Sequence, residues 1–279
     1  MENPIEFPKR REIIEIITTS LQFIRSEFKP LAKYTLIYAL PFIAILAGLQ
    51  LVLTSKLTAA LELIKDLEPD MMLQELGGIY KYYLLILLFN IFVQSLFMSV
   101  IFTYIHAYLD RGRGNFTTGE ITSAFFTNAY ISMGTTLIVA VVSVFGLIFC
   151  ILPGIFLANS LSLAVFIAVY ERRGIGYALT RSWKLVNLQW WGTFVLNLTG
   201  IVIMQIAAMA LSAPATFGPE SDVLFEKGES FAQLASDWRV WVFIASSVIS
   251  SLLAVISFVF QAFQYFNLKE REKEFPVVS

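Results

Sequence analysis

The chain has 279 residues, 57% apolar and 15% charged, with a formal net charge of −1 and a mean hydropathy of +0.71. A soluble domain carries about a quarter charged residues, so this composition excludes a soluble enzyme, a nucleic-acid binder and a disordered chain. The charges are also segregated: windows 34–55, 82–109, 121–170, 185–219 and 240–268 hold none, and these 164 residues leave all 41 charges to the other 115. A transmembrane helix needs ~20 mostly apolar residues, so each window accommodates at least one span.

The start of the chain, with Ile5, Glu6, Phe7 and then Lys9, Arg10 and Arg11, lacks the apolar run of a signal peptide, and the first span is expected to act as an uncleaved anchor. Residues 12–28 read as an amphipathic helix: Ile13, Ile17, Leu21, Ile24 and Phe28 recur at helical spacing, and Pro30 ends the segment. Six spans follow at 34–54, 82–106, 131–151, 155–170, 191–211 and 241–263. The 50-residue window must hold two helices, because one of that length would run ~75 Å. Its expected break is Leu152-Pro153-Gly154. Residues 175–190 form a second amphipathic helix, with Ile175, Ala178, Leu179, Trp183, Val186 and Trp190 on one face and Arg181 and Lys184 opposite. Residues 118–130 are a weaker third case, with Ile121, Phe125 and Ala129. Such helices lie in the headgroup plane.

Each amphipathic helix precedes a helical hairpin, and Ser20 to Arg25 lies over Ser182 to Asn187 without a gap. Three same-handed units are one reading of this pattern; coincidence is the other. The expected fold is therefore all-α: a polytopic membrane protein with six transmembrane helices and three cytoplasmic interfacial amphipathic helices. Its parts are an N-terminal helical segment (1–33), a transmembrane domain (34–268) and a tail (269–279).

Six spans place both termini on one side. That side carries 15 Lys and Arg, against 5 in the loops 55–81 and 212–240, which also hold 10 acidic residues. The positive-inside bias predicts cytoplasmic termini and, for a bacterial protein, the inner membrane. Aromatic belts are expected from Tyr80, Tyr82, Tyr83, Trp238 and Trp241 at the outer ends, and from Tyr104, Tyr108, Tyr170, Trp190, Trp191 and Tyr265 at the inner ends.

No span contains Asp, Glu, Lys or Arg, which disfavours pumps and carriers built on intramembrane carboxylates. The second span instead carries the neutral groups Asn90, Gln94, Ser95, Ser99 and Thr103, of which Ser95, Ser99 and Thr103 form with His106 a stripe on one face. The sixth carries Ser247-x-x-x-Ser251 and Ser250-x-x-x-Ala254, small residues that let helices approach. These groups read either as interhelical hydrogen bonding or as a polar cavity for a lipid headgroup or small solute. His106 with Asp110 one turn on reads as a structural pair, and a surface lipid-modifying site built on His106, Asp110 and Glu171 is the least supported function. One His and one Cys make no zinc site. No catalytic residue, cofactor or metal is expected.

A sharper signal spans Leu152 to Trp191. Leu152-Pro153-Gly154-Ile155, Tyr170-Glu171, Gly174, the run Ala178 to Leu185 (ALTRSWKL) and Trp191 resemble the membrane domains joined to glycerophosphoryl diester phosphodiesterases. They also resemble related multi-pass bacterial proteins of undefined activity. The segment Ile5-Glu6-Phe7 with its following helix is similar to Bacteroidota members of that group. The resemblance implies a six-helix inner-membrane protein. It concerns the membrane domain alone, so no phosphodiesterase activity is expected. Within it, Glu171, Arg172, Arg173, Arg181 and Lys184 form a charged cluster. The cluster is either a helix-end carboxylate with topology-marking cations, a contact for anionic lipid headgroups, or a docking face for a partner. The expected function is a non-enzymatic scaffold or subunit of a membrane complex. The alternative is a transporter or lipid-handling protein using the neutral stripes. Expected partners are the bilayer and other membrane proteins or further copies of the chain, with no nucleic acid.

Overall fold

The computed structural model describes residues 5–64, 69–216 and 237–274, with side-chain surroundings for 5–53, 77–78, 80–213 and 237–274. These residues form ten helices and no strand: α1 Ile13–Ser26, α2 Phe28–Tyr38, α3 Leu40–Ile64, α4 Pro69–Arg111, α5 Thr118–Phe149, α6 Ile151–Ser160, α7 Ala164–Glu171, α8 Ile175–Leu188, α9 Trp190–Thr216 and α10 Trp238–Glu274. The chain is an all-α polytopic membrane protein. Five stretches are long and apolar enough to cross a bilayer, namely Tyr80–Arg111, Thr118–Phe149, Ile151–Glu171, Trp190–Ala213 and Trp238–Glu274. A sixth arises when α2 and Leu40–Leu53 are taken as one broken span. The acidic loops expected at 55–81 and 212–240 fall largely outside the described side chains.

Several boundaries depart from expectation, each for a local reason. The first span is not continuous: it breaks at Ala39, two residues before Pro41. A proline placed further into a helix would lose an amide donor and clash with the preceding turn, whereas in a first turn it does neither. By the same logic α1 stops at Ser26 and Pro30 sits in the first turn of α2. The expected break at Leu152-Pro153-Gly154 lies instead at Cys150, one extended residue (φ −169°, ψ 145°), with Pro153 inside the first turn of α6. The fourth span is interrupted by a turn at 161–163.

The segment 118–130 is not a separate interfacial helix but the start of the unbroken α5. Its entry is a capping box: the Glu120 N–H donates to Thr117 Oγ1 at 3.4 Å, and the Thr117 N–H donates to Glu120 Oε2 at 2.8 Å.

The described residues divide into two compact units. One comprises those of Met1–Ala39, Gln94–Val202 and Ala254–Ser279, the other those of Leu40–Val93 and Ile203–Leu253. The first has an aromatic core. Phe7 stacks on Phe263 (4.1 Å, 9°) and meets Phe23 edge-on at 5.1 Å. Phe102 meets Phe166 at 5.1 Å, and Phe97 meets Phe258 at 5.3 Å. Tyr104, Tyr108 and Tyr265 are buried here, so they belong to a core cluster and not to the aromatic belt expected at the inner ends. The outer set is exposed, Tyr80 at 66% and Trp241 at 58%. The α5–α6 hairpin closes on glycines: a Cβ on Gly154 would sit 2.6 Å from the Leu147 nitrogen, and one on Gly146 would sit 2.9 Å from Gly154 Cα.

In the second unit Leu51 and Val240 form a small core with Phe243 and Ile244. The side chains of Ser246, Ser250 and Ser251 donate to carbonyls three or four residues back on α10.

Two of the three proposed repeats are recognisable inside the first unit. α1 and α8 are both 14 residues long, and each is followed by a single-residue break, Glu27 or Gln189, and then by α2 or α9. One constant offset superimposes all these boundaries, and also the buried positions Ile16, Ser20 and Phe23 on Ala178, Ser182 and Leu185. The side chain at each break bonds a returning helix: Glu27 accepts from Tyr104 Oη on α4, and Gln189 accepts from Asn267 Nδ2 on α10. The middle segment lacks this pattern, because α5 runs through without a break.

Candidate functional site

At the elbow between α1 and α2 lies a cavity of about 600 Å³. Its polar lining comes from both sides of the elbow: Arg25 and Glu27 at the end of α1, Lys29 at the start of α2, and Arg113 from the α4–α5 turn. That turn reads Arg111-Gly112-Arg113-Gly114, with Gly112 at φ +79° and Gly114 at φ +73°. These are conformations in which a Cβ would be strained, and they bring Arg113 back over the elbow.

Arg113 Nη2 donates to the Ser26 carbonyl at 2.8 Å, and its Nε lies 2.7 Å from Glu27 Oε1. Glu27 is 2% exposed, and its other oxygen accepts from Tyr104 Oη at 2.7 Å. A buried carboxylate requires such compensation. Arg25 and Lys29 are exposed and have no ion-pair partner among the described residues. Three cations against one carboxylate leave the cavity at +2. Its wall is aromatic, with Tyr104 between Tyr34 (5.9 Å) and Phe116 (5.4 Å).

The cluster expected at Glu171, Arg172, Arg173, Arg181 and Lys184 is partly assembled. Glu171 accepts from Tyr177 Oη at 2.7 Å and Tyr265 Oη at 2.6 Å, and Arg181 Nε lies 4.0 Å away. Arg181 is bidentate to Glu272, at 2.6 and 2.5 Å. The Glu272 carboxylate raises the Arg181 pKa, and the hydrogen bond to Glu171, ahead of burial, raises that of the Tyr177 phenol. Arg173 lies over the Tyr177 ring at 5.3 Å. Glu171 and Arg181 thus tie α7 and α8 to α10, while Arg172, Arg173 and Lys184 face outward. Arg172 adopts φ 51° at the end of α7.

The neutral polar groups of the second span are divided. Asn90 is exposed and Gln94 half-buried, whereas Ser95, Ser99 and Thr103 are buried. Ser99 Oγ donates to the Phe125 carbonyl at 3.2 Å, and Asn128 Nδ2 donates to Thr103 Oγ1 at 2.8 Å. Their buried half therefore bonds α4 to α5. A second polar group joins α6, α8 and α9. Asn197 Nδ2 donates to Asn159 Oδ1 at 2.9 Å, Asn159 Nδ2 to the Trp190 carbonyl at 3.2 Å, and Ser182 Oγ to the Ser160 carbonyl at 2.9 Å. His106 Nδ1 lies 3.3 Å from Asp110 Oδ2, a one-turn pair beside Tyr170. Among the described residues no three His, Cys, Asp or Glu side chains gather in a metal-binding group.

Comparison with protein-family models, curated proteins and solved structures finds no match. The elbow cavity escaped the sequence reading because Arg113 is 86 positions from Glu27. The available signals were the R-G-R-G turn and a carboxylate, Glu27, set between the cations Arg25 and Lys29.

Proposed function

We propose that this integral membrane protein is a non-enzymatic scaffold or subunit of a membrane complex in the bacterial inner membrane, with both ends cytoplasmic. The observation that carries the reading is how little some spans pack within the chain. Only 11% of the most apolar stretch of Trp190–Ala213 and 17% of that of Thr118–Phe149 is buried, against 56% for Ile151–Glu171. On α9 the exposed line runs through Val202, Ile206 and Met209, with the small Ala210 beside it. Such a surface suits a second helix, because small residues allow close approach and dispersion replaces the missing hydrophobic drive.

The polar side chains support the same reading. In the spans the Ser99, Thr103, Asn128, Asn159 and Asn197 groups bond helix to helix, which favours a rigid framework over a transport path.

The test is native mass spectrometry of the full chain, extracted from its own membrane into nanodiscs. A stoichiometric assembly that Ala210→Trp dissociates, leaving the protein folded, is the expected result. A wild-type chain that emerges as a monomer carrying lipid alone contradicts the proposal.

A further inference from the structure

We infer that the elbow cavity between α1 and α2 is a binding site for a phosphate-bearing anion, with the headgroup of an anionic phospholipid as its occupant. The inference goes beyond the scaffold reading and does not depend on it.

Charge is the first argument. Among the described residues Arg25 and Lys29, exposed at the cavity, have no carboxylate partner, and Arg113 neutralises Glu27 while lying at the same cavity. Two unmatched cations and an adjacent guanidinium are a ready receptor for a tetrahedral oxyanion, because guanidinium groups give paired, directed donors to phosphate. Glu27 does not oppose this. Its two oxygens already face Arg113 and Tyr104, so it fixes the position of Arg113.

Position is the second argument. α1 buries Ile16, Ser20 and Phe23 against the chain, and this is not the stripe the sequence singled out. That stripe flanks the packed face: Leu21 is 42% and Phe28 64% exposed, with Ile13, Ile17 and Ile24 half-buried. A helix with one face packed on protein and a second apolar stripe outside is built to lie along a lipid surface. Phe28 lines the cavity as well as ending that stripe. The first apolar turn of the broken span starts here, so the cations stand at headgroup depth beside an aromatic wall of Tyr34, Tyr104 and Phe116.

The experiment measures binding of phosphatidylglycerol to the full-length protein in detergent by native mass spectrometry. Wild type is compared with Arg25→Ala/Lys29→Ala and, as a control elsewhere on the basic surface, Lys9→Ala/Lys273→Ala. Inorganic phosphate serves as competitor, and thermal unfolding confirms that each variant folds. The expected result is about 30-fold weaker lipid binding in the elbow variant, corresponding to ~2 kcal/mol for two interfacial cations, with little change in the control. Failure of inorganic phosphate to displace the lipid assigns the site to the headgroup. Displacement at comparable concentration supports the phosphate site but assigns it to a free phosphorylated solute. Equal loss in both variants, or no loss in either, overturns the inference.

Discussion

Glu27 and Arg113 set the terms at the scale of single residues. A carboxylate 2% exposed survives only because Arg113 and Tyr104 face it. Removing Arg113 strips a buried carboxylate of its counter-ion, a loss of ~1–3 kcal/mol. The neighbouring pair Arg111–Glu120 is exposed on both sides, so solvent screens it and its loss costs little. Arg113→Ala is thus expected to lower the unfolding temperature in mild detergent clearly more than Arg111→Ala; equal effects would show that Glu27 does not depend on its guanidinium. The sequence shows these charges gathered in the same few segments but not their pairings. Glu27 with Arg113, and Arg181 with Glu272, are set by chain crossings that no local pattern records.

Among the elements, helix existence was legible and helix faces only in part. α1 and α8 emerged from apolar periodicity, and α8 buries Ala178 and Val186 of its expected face, but it also buries Ser182 and Leu185 while Trp183 is 38% exposed. A helix bordering lipid has two apolar neighbours, protein and bilayer, so hydrophobicity alone cannot say which face meets which. The α5–α6 hairpin shows a constraint that was half legible: Pro153 and Gly154 signalled a turn, but Gly154 acts through close approach to Leu147, not through turn geometry. Gly154→Val would drive its side chain into that backbone and is expected to destabilise the hairpin by ~1–3 kcal/mol. Gly176→Val, with open space at its Cβ, is the matched control. Thermal unfolding of the two variants checks this, and equal melting would show that the hairpin tolerates separation.

Taken whole, the molecule follows from the segregation of its charges. All six expected spans fall on apolar helices, with the first broken at Ala39. The two ends are held together: Arg10 pairs with Glu274 at 2.6 Å, Arg271 with Glu12 at 3.1 Å, and the Arg11 N–H donates to Asn267 Oδ1 at 3.0 Å. Phe7 completes the joint by stacking on Phe263. An even number of crossings, with the broken α2–α3 segment as one of them, would bring both ends to one side. The most direct test is labelling of single cysteines at Arg10 and Glu274, in a Cys150→Ala background, with a membrane-impermeant thiol reagent applied to sealed vesicles of each orientation. The account predicts that both positions react only in inside-out vesicles; reaction of the two from opposite sides would contradict it.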